Sequence, residues 1–503
     1  MKRLVVVFLA VVAVLAWPRS SMSQDAAAIQ ARVKWLQSVA ASSGLYYAEL
    51  QSLGLTEAST PQPYRPPDPT PPGPYPYTSY VATNDSPNQD VEPSIANVQI
   101  GYTRYITTAY MTYYANTGQA LLRSATTTDS FGVFTPSTLP EPATIPGHSA
   151  FVQNWDPWLG ANTGGGVAQG RMYAVGIAAT YQAGSPFTAV ALWRSDNGGS
   201  VWSNPTVIAT ADSLSTILVD KPNVAVNTNN GYVFVTFVDY PDYTGNNVRV
   251  HFSRSTDGGV TFSAPTTPWS GSGNGAQLAV NTRNNNLYLV WADYGNIRLS
   301  AVTSTDNGNT WSAPISLTPT GGSLVGPEPA DPLLSNGIRC YTVPAIRYNP
   351  AANVLGVTRH QREGYGTTNP VLTDTYYSYF SGTSWAAPVA VAATQGVNEF
   401  MPALDSDNQG NVSITYYSTQ GSPGNAQYRE WRAFRTYSGL VVTVNKALAF
   451  LQTNPASYQI HPNFIGDYQD GTTIRGVGYN EHVPAWVGID TGIGSIYLTD
   501  VSY

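Results

Sequence analysis

Glu92, Asp156, Asp220 and Glu399 each open a short motif of small and apolar residues that ends in Asn or Asp. A second group of acids, Asp239, Asp242, Asp293 and Asp490, closes apolar runs that read as strands. Arg249 and Arg298 begin the runs that follow, and Arg359, His360, Gln361, Arg362 and Glu363 form one charged stretch. Paired carboxylates are what glycoside hydrolysis requires, one as acid and one as nucleophile or base. Asp156, Asp220 and Glu399 are the candidates for those roles. Arg249, Arg298, Arg359 and Arg362 would grip an acidic group in bidentate fashion. Glu92, Asp239, Asp293 and Asp490 complete the candidate ligand-binding set, and tyrosines nearby can stack on sugar rings. The competing reading is local: an acid before proline caps a turn, and Asp at a strand end starts one.

Other chemistries find less support. A ring of acids can hold calcium through oxygen ligands, but no D-x-D-x-D-G loop occurs. The histidines at 148, 251, 360, 461 and 482 show no H-x-x-x-H pairing, so no zinc site is expected. Cys340 is the single cysteine and reads as a buried, inert thiol. No G-x-S-x-G, P-loop or dinucleotide fingerprint is present, and no cofactor is expected. The formal net charge of −7 and only four lysines leave no basic cluster for a phosphate backbone, which excludes nucleic acid as a partner class.

The elements that must position these residues are short strands. Charged residues are 11% of the chain against about 25% in ordinary globular domains, and Tyr, Gly, Asn and Thr are abundant. Two internal repeats emerge. One is a turn: Ser304, Asp306, Gly308, Thr310 and Trp311 match S-x-D-x-G-x-T-W in every fixed position. Ser255, Asp257, Gly259, Thr261 and Phe262 match with Phe for Trp, and Ser195, Asn197, Gly199 and Trp202 match with Asn for Asp. Degenerate copies follow Thr127 and Ser378. In such an Asp-box the carboxylate or amide accepts backbone N–H groups within the turn, glycine takes positive φ, and the aromatic tucks beneath. The second repeat precedes each turn, at 92–97, 156–162, 220–227, 275–281, 343–349, 399–405 and 461–467.

Seven such units predict an all-β, seven-bladed propeller over residues 78–503, with six blades as the alternative. The last unit holds only three strands, so residues 77–83 are expected to supply its outer strand and close the ring. Upstream, Lys2, Arg3, the apolar run 4–17 and small Ser21 and Ser23 read as a signal peptide over 1–23, which implies a secreted or periplasmic protein. Residues 24–59 read as a helical segment, with Ile29, Val33, Leu36 and Val39 or Ala40 at three-to-four spacing. The linker 60–77 carries nine prolines between 61 and 76 and reads as an extended strap.

The boxes resemble those of the sialidase superfamily, also called BNR-repeat proteins, over roughly residues 85–503. The run from Phe464, Gly466, Asp467 and Tyr468 through Trp486 to Tyr497 is similar to the closing blade of secreted, sialidase-like bacterial proteins. The resemblance implies boxes between third and fourth strands, on the face away from the ligand, with structural roles. For a true sialidase it also implies an arginine triad, a Tyr–Glu nucleophilic pair and an Asp acid/base, the first arginine lying in Phe/Tyr-Arg-Ile-Pro. That motif is absent: the strings at 345–348 and 102–105 match neither its order nor its proline. The expectation is a module that binds extracellular glycan or glycoprotein at the channel mouth without sialidase activity. A glycoside hydrolase of exo-sialidase-like type is the alternative.

Overall fold

The computed structural model describes residues 78–502 except 84–86, 129–130, 146, 183–184, 243–246, 297, 318–333, 335–336, 363–371, 437–441, 449–452, 455, 457–463, 476–479 and 490–493. The leader, the N-terminal helical segment, the proline strap and Asp490 therefore lie outside the described residues.

Seven four-stranded antiparallel sheets form the blades of a propeller. Blade 1 is Gln89–Ile100, Thr103–Tyr113, Ala120–Thr128 and Thr135–Thr138, from axis to rim; blade 2 is Gln153–Ala161, Met172–Gln182, Ser185–Ser195 and Thr206–Thr210. Blade 3 is Leu218–Asn227, Tyr232–Tyr240, Val248–Ser255 and Thr266–Gly271; blade 4 is Gly273–Val280, Leu287–Asp293, Arg298–Ser304 and Ile315–Ser316. Blade 5 is Ala345–Asn349, Val354–Arg362, Thr373–Phe380 and Val389–Ala392; blade 6 is Glu399–Ser406, Asn411–Ser418, Arg429–Thr436 and Val442–Ala447. Blade 7 is Asp470–Arg475, Asn480–Ile489 and Gly494–Ser502, and its outer strand is Thr78–Val81. Thr78 pairs with Asp500 and Val81 with Tyr497, so the ring is closed by the strand expected to close it. No α-helix occurs among the described residues.

This order gives the propeller two faces. Inner strands begin and second strands end on an entry face. The turns between first and second strands, and between third and fourth, lie on the opposite box face. Blades pack sheet against sheet, so second strands are buried on both sides and read as largely apolar runs, such as Val233, Phe234, Val235, Phe237 and Val238 around the buried Thr236. Trp155, Trp193, Trp291 and Trp486 are fully buried between the sheets.

Five of the seven inner strands, those of blades 1, 2, 3, 4 and 6, share one irregularity. Their pairing slips between Val91 and Ser94, Trp155 and Trp158, Asp220 and Asn223, Asn274 and Gln277, and Phe400 and Ala403. At each slip one residue is left-handed: Glu92 (φ 55°), Asp156 (56°), Lys221 (48°), Gly275 (61°) and Met401 (47°). Such bulges re-aim a side chain. A left-handed non-glycine residue costs about 1–2 kcal/mol and persists only where its surroundings hold it. In blades 1, 2, 3 and 6 the next residue is Pro93, Pro157, Pro222 or Pro402, which has no N–H to leave unpaired at the slip.

Blade 7 differs from the sequence expectation in one respect: its inner strand begins at Asp470, beyond the repeat at 461–467. Residues 464–469 lead into it and are fixed by side-chain bonds, Tyr468 Oη donating to the Pro157 carbonyl at 2.8 Å and Gln469 Nε2 to that of Met401 at 2.8 Å.

Candidate functional site

The left-handed residues bring charge to the axis at the entry face. Lys221 of blade 3 donates from Nζ to Asp467 Oδ2 of blade 7 at 2.5 Å and stands 3.6 Å from Asp156 Oδ2 of blade 2. Arg339, on the approach to blade 5, reaches the same Asp467 oxygen at 3.3 Å. Glu92 Oε1 of blade 1 accepts the Asp467 N–H at 3.2 Å. Glu92, Asp156, Asp220 and Asp467 are completely or almost completely buried. Neither carboxylate oxygen of Asp156 has a hydrogen-bond partner.

The electrostatics follow from that burial. Desolvation raises the Asp156 pKa well above the carboxylate range; Lys221 opposes the shift, and Glu92, Asp220 and Asp467 add to it. Burial works against the charge on Lys221, but Asp156, Asp467, Asp220 and Glu92 outweigh it and hold the ammonium above its ordinary value. The cluster is an internal salt network spanning blades 1, 2, 3 and 7.

Two sequence candidates shift role here. The residue that enters the axis is the one immediately before proline, which makes Lys221, not Asp220, the counterpart of Glu92 and Asp156. Asp220 is buried one residue earlier, within the strand ladder opposite Val238. In blade 6 the equivalent position is Met401. Glu399 lies two residues earlier and accepts the Thr394 N–H with both carboxylate oxygens, at 3.3 Å each, as a turn cap. Lys221 and Arg339 were not singled out from sequence, and Asp467 was read only as part of the closing-blade run, although the Lys-Pro step of the third repeat was the signal.

The rim candidates pair with one another. Asp239 and Arg249 face each other across adjacent strands of blade 3, as Asp293 and Arg298 do in blade 4. Arg249 Nε approaches the two Asp239 oxygens at 2.9 and 3.1 Å, its NH2 group bonds the same carboxylate, and His251 Nε2 stands 3.1 Å from Asp239 Oδ2. Burial opposes ionisation of Asp239, but the bonds from His251 and Arg249 outweigh it and lower its pKa. Arg298 Nε lies 3.3 Å from Asp293 Oδ2, and its side chain is 38% exposed. Asp242 accepts from Asn247 Nδ2 at 2.6 Å.

In blade 5, Arg359 is buried, donates to Gln361 Oε1 at 3.1 Å and lies 5.9 Å from the Tyr376 ring centre. Burial lowers its pKa to about 10. Arg362 is half-buried at the strand end. Cys340 is fully buried, with His360 Nε2 at 3.1 Å from its sulfur. His360 Nδ1 accepts the Met401 N–H at 3.3 Å, which leaves the imidazole proton on Nε2, facing the sulfur. Burial pushes the thiol well up and His360 down to about 3, so both are neutral.

Beyond the salt network the axis opens into a cavity of about 500 Å³ lined by inner-strand residues of all seven blades, among them Asn97, Leu159, Val224, Leu278 and Asp405. Arg347 lies in its wall, paired with Asp470 at 2.8 Å. Among the described residues no group of three or more His, Cys, Asp or Glu is placed to hold a metal ion. No helix there is long and apolar enough to cross a membrane.

The Asp-boxes lie between third and fourth strands on the box face, away from this cluster. Asp306 Oδ1 accepts the Thr310 N–H at 2.9 Å and Oδ2 the Thr310 hydroxyl at 2.6 Å; Asp257 does the same with Thr261 at 3.0 and 2.6 Å. Asn197 Oδ1 accepts the Val201 N–H at 3.0 Å. Each box is also tied to the preceding blade: Thr107 Oγ1 donates to the Gly198 carbonyl (2.6 Å), Arg171 to that of Gly258 (2.9 Å) and Arg254 to that of Asn307 (3.0 Å). The aromatics complete the seam: Trp202 Nε1 donates to Ser124 Oγ at 2.9 Å, and Trp311 meets Phe252 edge-on at 5.1 Å. Gly199, Gly259 and Gly308, at φ 90°, 82° and 85°, sit where a Cβ would come within 3 Å of a side chain of the preceding blade. Phe262 packs at the margin of the largest core cluster.

No family model matches the chain, and no curated protein matches it. Among solved structures it is similar to a Hadza microbial sialidase, at 14% identity over 65% of this chain and 63% of that one, with a TM-score of 0.45. It is similar to a leech intramolecular trans-sialidase at 11% identity over 65% and 64%, TM-score 0.42. A protein of unknown function from Dyadobacter fermentans aligns at 14% identity over 67% of this chain and 93% of that one, TM-score 0.42. The chain thus spans less than two thirds of the length of the first two.

Proposed function

We propose that this protein is an exported, non-hydrolytic binding module that takes an extracellular glycan or glycoprotein on the entry face of its propeller. The observation that carries this reading is the position of Lys221. It stands 2.5 Å from Asp467 and 3.6 Å from Asp156, in a cluster of buried acids that hydrolysis would need open to a sugar. Glu399 is likewise committed to a turn. The half-buried arginines at the rim, Arg298 and Arg362, offer a different chemistry. Guanidinium groups at a wet edge suit carboxylate, sulfate or polyhydroxylated groups.

The test is a glycan array read beside a panel of chromogenic glycosides, sialosides included, with the purified full chain. Binding without turnover, weakened at least tenfold by combined Arg298→Ala and Arg362→Ala, is the expected result. Turnover that disappears in Asp156→Asn would replace this reading with the glycoside hydrolase. Failure to bind any glycan or glycoprotein would refute it.

A further inference from the structure

Most of the exposed large apolar side chains among the described residues lie on one face of the ring. Of eight exposed ones among the described residues, Tyr102, Val133, Val167, Val201, Val260 and Ile315 stand on the box face. Tyr102 and Val167 occupy turns between first and second strands of blades 1 and 2. Val133, Val201 and Val260 occupy the box turns of blades 1, 2 and 3, and Ile315 starts the outer strand of blade 4. They are fully exposed to half-exposed, Tyr102 at 105% and Val201 at 63%. Bonds from Thr107 to Gly198, Arg171 to Gly258 and Arg254 to Asn307 tie the box turns of blades 2, 3 and 4 to the blade before each, and the Val167 side chain lies beside Gly258 of the next box. Single exposed apolar residues are ordinary, whereas a contiguous set marks a contact surface.

The chain's own direction indicates what covers it. The outer strand of blade 7 runs from box face to entry face, because Thr78 lies opposite Asp500 near the box-face end of its partner and Val81 opposite Tyr497. The chain therefore enters its first described strand, at Thr78, from the box face, in the blade next to blade 1. Upstream, Ile29, Val33, Leu36 and Val39 recur at the spacing of one helical face. The proline-rich stretch 61–76, at about 3.1 Å per residue, reaches about 50 Å. A four-stranded blade at about 4.8 Å between strands is only about 15–20 Å wide.

We propose that residues 25–53 dock as an amphipathic helix on the box face of blades 1 to 3. The apolar stripe of Ile29, Val33, Leu36 and Val39 covers Tyr102, Val167, Val201 and Val260, and the proline strap sets the span. The segment thus shields the seams between the first boxes and leaves the entry face free for ligand.

The only native cysteine, Cys340, is fully buried, so an engineered pair can be oxidised without competition. In the full chain, Leu36→Cys is combined in turn with Val167→Cys, Val201→Cys and Val260→Cys, and with Val152→Cys on the entry face as control. The expected result is an intramolecular disulfide with at least one box-face partner and none with Val152→Cys, seen as a mobility shift without reductant. Hydrogen exchange of residues 25–53 in the unmodified chain is expected to be slowed at least tenfold, and Val33→Asp with Leu36→Asp to abolish that protection. Exchange at the free-peptide rate, crosslinks with Val152→Cys as readily as with the box face, or crosslinks only between two chains would overturn the proposal, the last in favour of a second copy as occupant.

Discussion

Lys221 and Asp467 meet across the propeller axis, Nζ to Oδ2 at 2.5 Å, although 246 residues separate them. Blades 3 and 7 lie on opposite sides of the ring, so this contact fastens the centre as the strand Thr78–Val81 fastens the rim. The ring is thus closed twice, by backbone at its edge and by charge at its axis. The second closure exists because a bulge before proline turns a strand residue left-handed and points its side chain inward. Glu92, Asp156 and Lys221 are three uses of that one device.

Removing the cation should expose the cost of the arrangement. Lys221→Met leaves Asp467 and Asp156 buried without their ammonium partner, a change worth about 3–5 kcal/mol of destabilisation. Protonation of the acids relieves it, so the loss should shrink from pH 8 to pH 5. Urea denaturation at both values measures this, and a loss independent of pH would contradict a charge-based role.

Asp156→Asn should behave differently from Asp467→Asn. Asp156 has no hydrogen bond to lose, and its buried charge is opposed by three acids, so the amide should change stability by less than about 1 kcal/mol. Asp467 bonds both Lys221 and Arg339, and its amide should cost about 2–4 kcal/mol. Equal effects would show that the network is not organised around Asp467.

The two rim pairs offer an internal comparison. Both carboxylates are buried, but Asp239 is engaged by Arg249 through Nε and its NH2 group and by His251, whereas Arg298 meets Asp293, which also accepts from Asn296 and Ser300, through one 3.3 Å contact. Double-mutant cycles to alanine should give about 1–2 kcal/mol of coupling for Asp239 with Arg249 and under about 0.5 kcal/mol for Asp293 with Arg298. The reverse order would mean that the number of guanidinium contacts to the carboxylate does not set the strength.

The repeats made the blade count, the closing strand and the boxes legible in the sequence, because each rests on local rules. Ser304, Asp306, Gly308 and Thr310 build their turn from bonds within seven residues, and such patterns are complete in the text. The entry-face cluster was legible only in part. Glu92, Asp156 and Asp220 were found as acids at strand entrances, but whether they face solvent depends on the other blades. Lys221 comes to Asp156 from the next blade and to Asp467 from across the ring, and no local pattern encodes that meeting. Aligning the repeats on proline instead of on the acid places Lys221 in the slot. That the rim acids and arginines satisfy each other follows from strand register, which composition does not reveal.

Asp90 predicts a pH dependence of definite sign. Burial raises its carboxyl to about 6 in the folded chain, even though the Thr112 hydroxyl donates to Oδ1 at 2.6 Å. A carboxyl raised on folding supports the native state when protonated, and this contribution is lost as pH rises through 6. Asp90→Asn keeps the acceptor for Thr112 and does not ionise. Relative to the parent it should gain about 2–3 kcal/mol between pH 4 and pH 8. Denaturation curves at intervals of one pH unit would read this, and parallel pH profiles for the two proteins would rule it out.

The boxes should dominate the other end of the scale. The Thr310 hydroxyl and N–H, with Ser304, hold the Asp306 carboxyl down to about 2. In Asp257 burial pulls the other way, yet the bonds from Thr261, Ser255 and Val260 prevail and give the same value of about 2. Carboxyls lowered on folding stabilise the native state above their ordinary range near pH 4, and that contribution disappears as pH falls through 2. Asn197 fills the same slot in blade 2 and cannot titrate, so the fold already tolerates an amide there. Combined Asp257→Asn and Asp306→Asn removes the oxygen that accepts each threonine hydroxyl and leaves the N–H acceptors in place. The double variant should therefore have a lower urea midpoint than the parent at pH 7, and the two midpoints should converge between pH 4 and pH 2. A gap that stays constant over that window would mean the boxes stabilise the seams by shape and packing, with their charge contributing nothing.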